Sequence, residues 1–123
     1  MRAIVLAALV MAGPAWGQTS YTQQAILVWA DAQKAVAMAA LCGLRSTAWF
    51  TFTNALTLDR MYQAAQNGIT DFDGDRRAAG MFIDGATMQA KADARREFER
   101  YGQAACRDLQ SSKVLQQLDN MKP

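Results

Sequence analysis

The pattern of apolar and polar residues predicts a helix over about 21 to 41. Apolar residues recur there every three or four positions, whereas charged and amide side chains occupy the other faces. Ser20 followed three residues later by Gln23 is typical of a capping box at a helix start, and Gly43 is a plausible stop. The apolar face consists of Ile26, Trp29, Ala30, Ala37, Ala40, Leu41 and Leu44.

A second helix is expected over about 47 to 66, with Ser46 as its N-cap. The linker 43 to 45 is short, so the first two helices should pack as an antiparallel hairpin. Apolar residues cover much of the circumference of the second helix, which favours it as the central, most buried element. Its threonines leave the alternative that part of 48 to 56 is extended.

A third, long helix is expected over about 75 to 105. Glycine weakens a helix by up to about 1 kcal/mol relative to alanine, and a break is expected first near Gly102. Ala78, Gly85 and Ala92 form a seam of small residues along which another helix could approach closely. A short last helix follows Ser111 or Ser112. The predicted fold class is all-α, a small disulfide-stapled bundle of three to four helices.

The first 17 residues are typical of a secretory signal peptide. Met1 and Arg2 precede an uncharged apolar run over 3 to 12, and Ala15 and Gly17 are the small residues that a signal peptidase reads. The run is well short of the roughly 20 residues needed to cross a bilayer, so no membrane span is expected. We therefore predict cleavage before Gln18, a single helical domain over 18 to 123, and a periplasmic or secreted location.

The chain contains two cysteines, Cys42 and Cys106. In an oxidising compartment they are expected to form a disulfide, which in the chain-entropy model stabilises a domain of this size by about 4 kcal/mol. The alternative, a redox-active pair, normally requires a C-x-x-C spacing, and these cysteines are far apart in sequence. The disulfide is therefore interpreted as structural.

The composition argues against several classes of chemistry. The chain has no His, which removes Ser-His-Asp and Cys-His catalysis and His-ligated metals. The acidic segment 71 to 75 resembles the start of a calcium loop, but Gly74 is fourth and Phe82 twelfth where an EF-hand needs Gly sixth and Glu twelfth. These carboxylates are interpreted as helix caps. Neither a metal site nor a cofactor is predicted.

Nucleic-acid binding is not predicted either. The charged run 91 to 100 interleaves basic and acidic residues, which is typical of a solvated helix face. The chain has 13 basic and 11 acidic residues, and Arg2 is the only charged residue of the leader, so the mature domain is nearly neutral. An exported domain of this kind has little electrostatic attraction for a polyanion.

Candidate binding residues are Trp49 and Phe52 on the second helix, Glu97 within the apolar face of the third, and Arg45 (or Arg60) as a partner for Glu97. The favoured hypothesis is an exported, non-catalytic binding protein whose partner is another extracytoplasmic protein or a second copy, in the format of small inhibitors, immunity proteins and chaperones. Alternatives are a carrier of a small apolar ligand in the bundle core and, third, a carboxylate-dependent hydrolase using Glu97.

Overall fold

The computed structural model describes residues 19 to 122, so the predicted signal peptide at 1 to 17 lies outside the described residues. The described elements are all helical, which confirms the all-α fold class. In chain order they are α1 (Tyr21–Leu41), α2 (Thr47–Asn67), a short 3₁₀ helix (Ile69–Phe72), α3 (Arg76–Tyr101), α4 (Gln103–Gln110) and α5 (Lys113–Asp119).

Helix α1, not α2, is the central element, so the prediction for α2 is wrong. Helix α1 packs along both α2 and α3 and also touches α4 and α5, whereas α2 packs mainly on α1. The apolar residues of α2 are divided between two faces: Leu56 and Met61 are buried against α1, but Phe52 and Tyr62 face outward and are about half exposed. Apolar residues lie around much of α2, but only part of its surface is buried.

The core lies where α1, α2 and α3 meet. Ile26, Met61 and Ile83 contribute one fully buried side chain from each helix. Small residues such as Ala30 and Ala86 fill the space between them, which lets the helices approach closely. The core is thus built from a few large side chains and many alanines.

The caps predicted at Ser20 and Ser46 and in the acidic segment before α3 are confirmed. Ser20 and Gln23 form a reciprocal capping box at the start of α1, and the Ser46 hydroxyl accepts a hydrogen bond from the Trp49 backbone N–H. Asp75 caps α3 by accepting from the backbone N–H groups of residues 77 and 78. Helix α2 is helical from its first turn, so no part of 48 to 56 is extended.

The long third helix ends at Tyr101, and Gly102 is the break. Gly102 has φ 53° and ψ −127°, a backbone conformation that side chains with a Cβ rarely adopt. Helix α4 then takes a new direction toward the end of α1, where Cys42 and Cys106 form a disulfide with a Cα–Cα distance of 5.6 Å. The predicted cross-link is confirmed, and it holds α4 against α1.

Within residues 19 to 122, no helix is both long enough and apolar enough to cross a membrane.

Gly68, at the C-terminal end of α2, allows the closest approach of α2 to α1. A Cβ added at Gly68 would occupy the space of the buried Thr22 side chain, whereas a Cβ at Gly80 would meet nothing within 4 Å. We expect Gly68→Ala to lower the free energy of unfolding by about 1 to 3 kcal/mol, since overpacking forces the neighbours apart. Urea denaturation monitored by circular dichroism measures this change.

Gly80→Ala is the matched control. It lies in the interior of α3 with open space around it, so we expect unchanged or slightly higher stability, by up to about 1 kcal/mol. Equal losses of unfolding free energy for the two variants would show that α2 and α1 are not in tight contact at Gly68.

Candidate functional site

A groove lies beside α1 and is here called the α4 groove. Its volume is about 650 Å³, within the range of about 300 to 1,000 Å³ that is usual for binding clefts. Helix α1 forms one side, and the end of α3, part of α4 and the start of α5 form the other. Its apolar lining comprises Ala35, Met38, Tyr101, Ala105, Leu109 and Val114.

Charged side chains lie at the edge of this apolar lining. Lys34 on α1 and Glu97 on α3 form an ion pair across the groove, with 3.3 Å between Nζ and Oε2. Asp31 on α1 and Asp108 on α4 also line the groove, and within residues 19 to 122 neither carboxylate has an ion pair or a side-chain hydrogen bond. The groove therefore combines an apolar interior with unpaired carboxylates.

A second groove continues from the first and is here called the α5 groove. Asp31 and Val114 line both grooves, so the two share a boundary between α1 and α5. The α5 groove has a volume of about 460 Å³ and is mainly apolar. Its further lining includes Val28, Trp29, Ala32, Leu118 and Met121.

Two features fix the helices that form these grooves. The disulfide ties α4 to the end of α1, and the carboxylate of Asp119 at the end of α5 binds the α1–α2 linker. Arg45 donates two hydrogen bonds to Asp119, at 3.0 and 2.7 Å, and the Trp49 indole N–H donates a third at 2.8 Å. The Arg45 guanidinium also lies 5.8 Å from the centre of the Trp49 ring. We call Arg45, Trp49 and Asp119 the C-terminal latch.

The latch shifts the titration of both its charged groups. Hydrogen bonding from Arg45 lowers the pKa of Asp119 below its ordinary value, although partial burial of the carboxylate opposes the change. The same hydrogen bond raises the pKa of Arg45. Two of the four candidate binding residues, Arg45 and Trp49, therefore hold the C-terminal helix in place.

Glu97 and Phe52, the other two candidates, lie apart from the latch and from each other. Glu97 lines the α4 groove but pairs with Lys34, not with Arg45 or Arg60. The Arg60 guanidinium instead donates to the backbone carbonyl of Lys122, at 2.8 Å. Phe52 lies on the outward face of α2 and is 49% exposed. The four candidates therefore do not form one site.

The seam of small residues on α3 is exposed at two of its three positions, whereas Ala78 is partly buried and packs against the core. Gly85 and Ala92 are exposed, and no helix within residues 19 to 122 covers them. The neighbouring Met81 and Met88 are 68% and 72% exposed. At Gly85 and Ala92 the close helix approach that the sequence suggested is not present within residues 19 to 122, because α1 packs on the face that carries Ile83 and Ala90.

The acidic segment after α2 has structural contacts. Asp71 accepts hydrogen bonds from both the hydroxyl and the backbone N–H of Thr22, at 2.5 and 3.2 Å, and so joins the 3₁₀ helix to α1. Asp75 caps α3, as described above. Across residues 19 to 122, no three carboxylate or thiol groups lie close enough together to hold a metal ion.

Several residues of the site were missed from the sequence. The sequence gives no sign that Asp31, Lys34 and Asp108 belong to a site, because each lies on the polar side of its own helix, where solvated residues are usual. Asp119 lies in a helix of 7 residues, and its partner Arg45 is 74 positions away in sequence. No local pattern indicates a contact over that separation.

Protonation of Asp119 should release the latch at low pH. Because the pKa of Asp119 is lowered in the folded protein, its contribution is fully present above the ordinary value of about 3.9 and is lost as the pH falls through the folded-state pKa. Arg45 and Asp119 are each about a third exposed, so we expect about 1 kcal/mol or less. The Trp49 indole N–H resonance in NMR spectra, followed from pH 6 to pH 2, measures the release.

The Asp119→Asn variant is the control for this titration. It should lack the low-pH change in the Trp49 indole resonance. A Trp49 resonance that titrates identically with and without the Asp119 carboxylate would contradict the latch.

The fold and the grooves define a disulfide-stapled, all-helical protein with an open, partly apolar surface beside its central helix. Comparison of the chain with protein-family models, with curated proteins and with solved structures gives no match.

Proposed function

We propose that this chain is an exported helical binding protein that acts by protein–protein interaction without catalysis, as small inhibitors, immunity proteins or chaperones do. The α4 groove is the observation that carries the proposal. It is open, apolar inside and charged at its edge, which is the composition of a docking surface for a segment of another protein. Its apolar side chains Tyr101 and Val114 are 56% and 40% exposed.

The rigidity of the groove supports the same proposal. A preformed surface loses less conformational entropy on binding than one that must first be ordered. Here α4 is tied to α1 by the disulfide, and α5 is tied to the α1–α2 linker through Asp119. These two constraints hold α4 and α5, which lie on the same side of the groove, although the two helices have only 8 and 7 residues.

Site-specific photo-crosslinking tests the proposal. A photoreactive amino acid is placed at Ala104, an exposed residue that lines the α4 groove, and the protein is irradiated in an extract of the exporting cells. Two exposed alanines serve as matched controls: Ala55 on the outward face of α2 and Ala92 on α3. We expect one discrete protein adduct from position 104 and none from 55 or 92.

Other crosslinking patterns would overturn part or all of the proposal. Discrete adducts at position 55 alone would support a binding function but would locate the binding surface on α2, beside Phe52, and not in the α4 groove. Equal, diffuse adducts at all three positions, or none at any, would count against a specific protein partner.

A carrier of a small apolar ligand is the second candidate function. The observation that favours it is the α5 groove, where Trp29 and Met121 belong to a mainly apolar lining. This location differs from the bundle core suggested by the sequence. Native mass spectrometry of the purified protein separates the two candidates: a small molecule that co-purifies in stoichiometric amount favours the carrier, and a protein of the expected mass alone favours the docking surface.

A further inference from the structure

We infer that the α4 groove selects a partner segment that is basic as well as apolar. This inference rests on the proposed function, and it names the chemistry of the segment that the groove would take.

The lining of the groove is acidic. It contains the carboxylates of Asp31, Glu97 and Asp108 and a single basic group, Lys34. Lys34 is already paired with Glu97. Asp31 and Asp108, on opposite sides of the groove, therefore remain available to a ligand. Each can accept charge-assisted hydrogen bonds from lysine or arginine.

Basic residues close in sequence do not cancel this charge inside the groove. Arg107 and Lys113 adjoin lining residues but do not line the groove themselves. The Arg100 guanidinium lies 5.5 Å from the centre of the Tyr101 ring, and Arg100 is not one of the residues that line the groove. The polarity of the groove is thus set by two unpaired carboxylates, although the domain as a whole is close to neutral.

The apolar residues define the rest of the occupant. Val114 lies at the junction of the two grooves together with Asp31, and Tyr101 lines the α4 groove on the side of α3. A segment that places apolar side chains between Tyr101 and Val114, and basic side chains near Asp31 and Asp108, would satisfy both features. An amphipathic helix with lysine or arginine beside its apolar face meets this requirement.

A pair of model peptides tests the inference. Both are fluorescein-labelled 18-residue amphipathic helices with leucine at i, i+3, i+4 and i+7 spacing; one carries lysine and the other glutamate at the remaining positions. Fluorescence anisotropy with the oxidised full chain gives the dissociation constants. We expect the lysine peptide to bind at least about tenfold more tightly, and its affinity to fall as salt is raised.

Two double variants with the same change of net charge locate the effect. Asp31→Asn with Asp108→Asn removes the unpaired carboxylates of the groove, and we expect about fivefold weaker binding of the lysine peptide. Asp73→Asn with Asp84→Asn removes two exposed carboxylates away from the groove, and binding should stay within about twofold of the unmodified protein.

The inference is overturned if the two peptides bind equally, if neither binds, or if the two double variants weaken binding to the same extent. Its failure is distinguishable from failure of the proposed function. A discrete adduct at position 104, together with equal affinity for the two peptides, would support the docking surface and contradict the inference that its partner is basic. Tighter binding of the lysine peptide without any adduct at position 104 would support the charge selectivity of the groove. It would contradict the proposal that a cellular protein binds there.

Discussion

Reduction of the Cys42–Cys106 disulfide is expected to lower the melting temperature of the protein by roughly 15 to 30 °C. The two cysteines are 64 positions apart, and closing a loop of that length removes about 4 kcal/mol of unfolded-chain entropy in the chain-entropy model. In a domain of about 100 residues each kcal/mol corresponds to roughly 4 to 8 °C. Thermal melts followed by circular dichroism, with and without a phosphine reductant, measure the change.

The double variant Cys42→Ser with Cys106→Ser provides the control for this experiment. It should melt at the lower temperature in both conditions and show no further response to the reductant. It should also lose binding at the α4 groove, because α4 is no longer held against the end of α1. An unchanged melting temperature on reduction would show that the cross-link does not stabilise the domain.

Truncation of Ile83 to alanine is expected to lower the free energy of unfolding by about 2 to 5 kcal/mol. The side chain is fully buried in the cluster shared by α1, α2 and α3, so its removal loses apolar burial and leaves a cavity. For a domain of this size, the loss is a large fraction of the usual 5 to 15 kcal/mol. Urea denaturation of the oxidised protein measures it.

Met81→Ala is the matched control, since Met81 lies on the same helix but is 68% exposed. We expect a change within about 0.5 kcal/mol, as for other surface substitutions. A large loss at Met81 in dilute, monomeric protein would contradict the described packing of α3. A loss that appears only at high protein concentration would instead indicate self-association through the exposed face of α3.

The helices and their ends could be predicted from local patterns. The capping box at Ser20, the cap at Ser46 and the break at Gly102 each depend on neighbouring residues, so the sequence alone indicated them. The disulfide was predictable because only one intramolecular pairing of the two cysteines exists. These features together determine the all-α fold class.

The order of the helices in the bundle could not be predicted in the same way. Helix α2 has four aromatic residues and α1 has two, yet Thr53 and Thr57 are among the fully buried positions of α2 while Phe52 faces outward. Helix α1 buries Gln33, whose amide atoms have no hydrogen-bond partner within residues 19 to 122. Which helix becomes central depends on how well the surfaces of α1, α2 and α3 fit together. A count of apolar residues gives no information about that fit.

The candidate site was predicted only in part. Glu97 was chosen for its position within an apolar face, and it does line the α4 groove, but its partner is Lys34. The other carboxylates of the groove lie on α1 and α4, which are brought together only by the turn at Gly102 and the disulfide. Long-range constraints of this kind place the site, and they leave no periodic signal in the sequence.

The proposed function requires that the surface beside α1 docks another protein. Hydroxyl-radical footprinting of the chain, alone and in complex with the partner captured at position 104, tests it most directly. We expect Tyr101 in the α4 groove to become protected, while Tyr62 on α2 and Met88 on α3, which are 46% and 72% exposed, keep their reactivity. Protection of Tyr62 or Met88 with Tyr101 left reactive would contradict it.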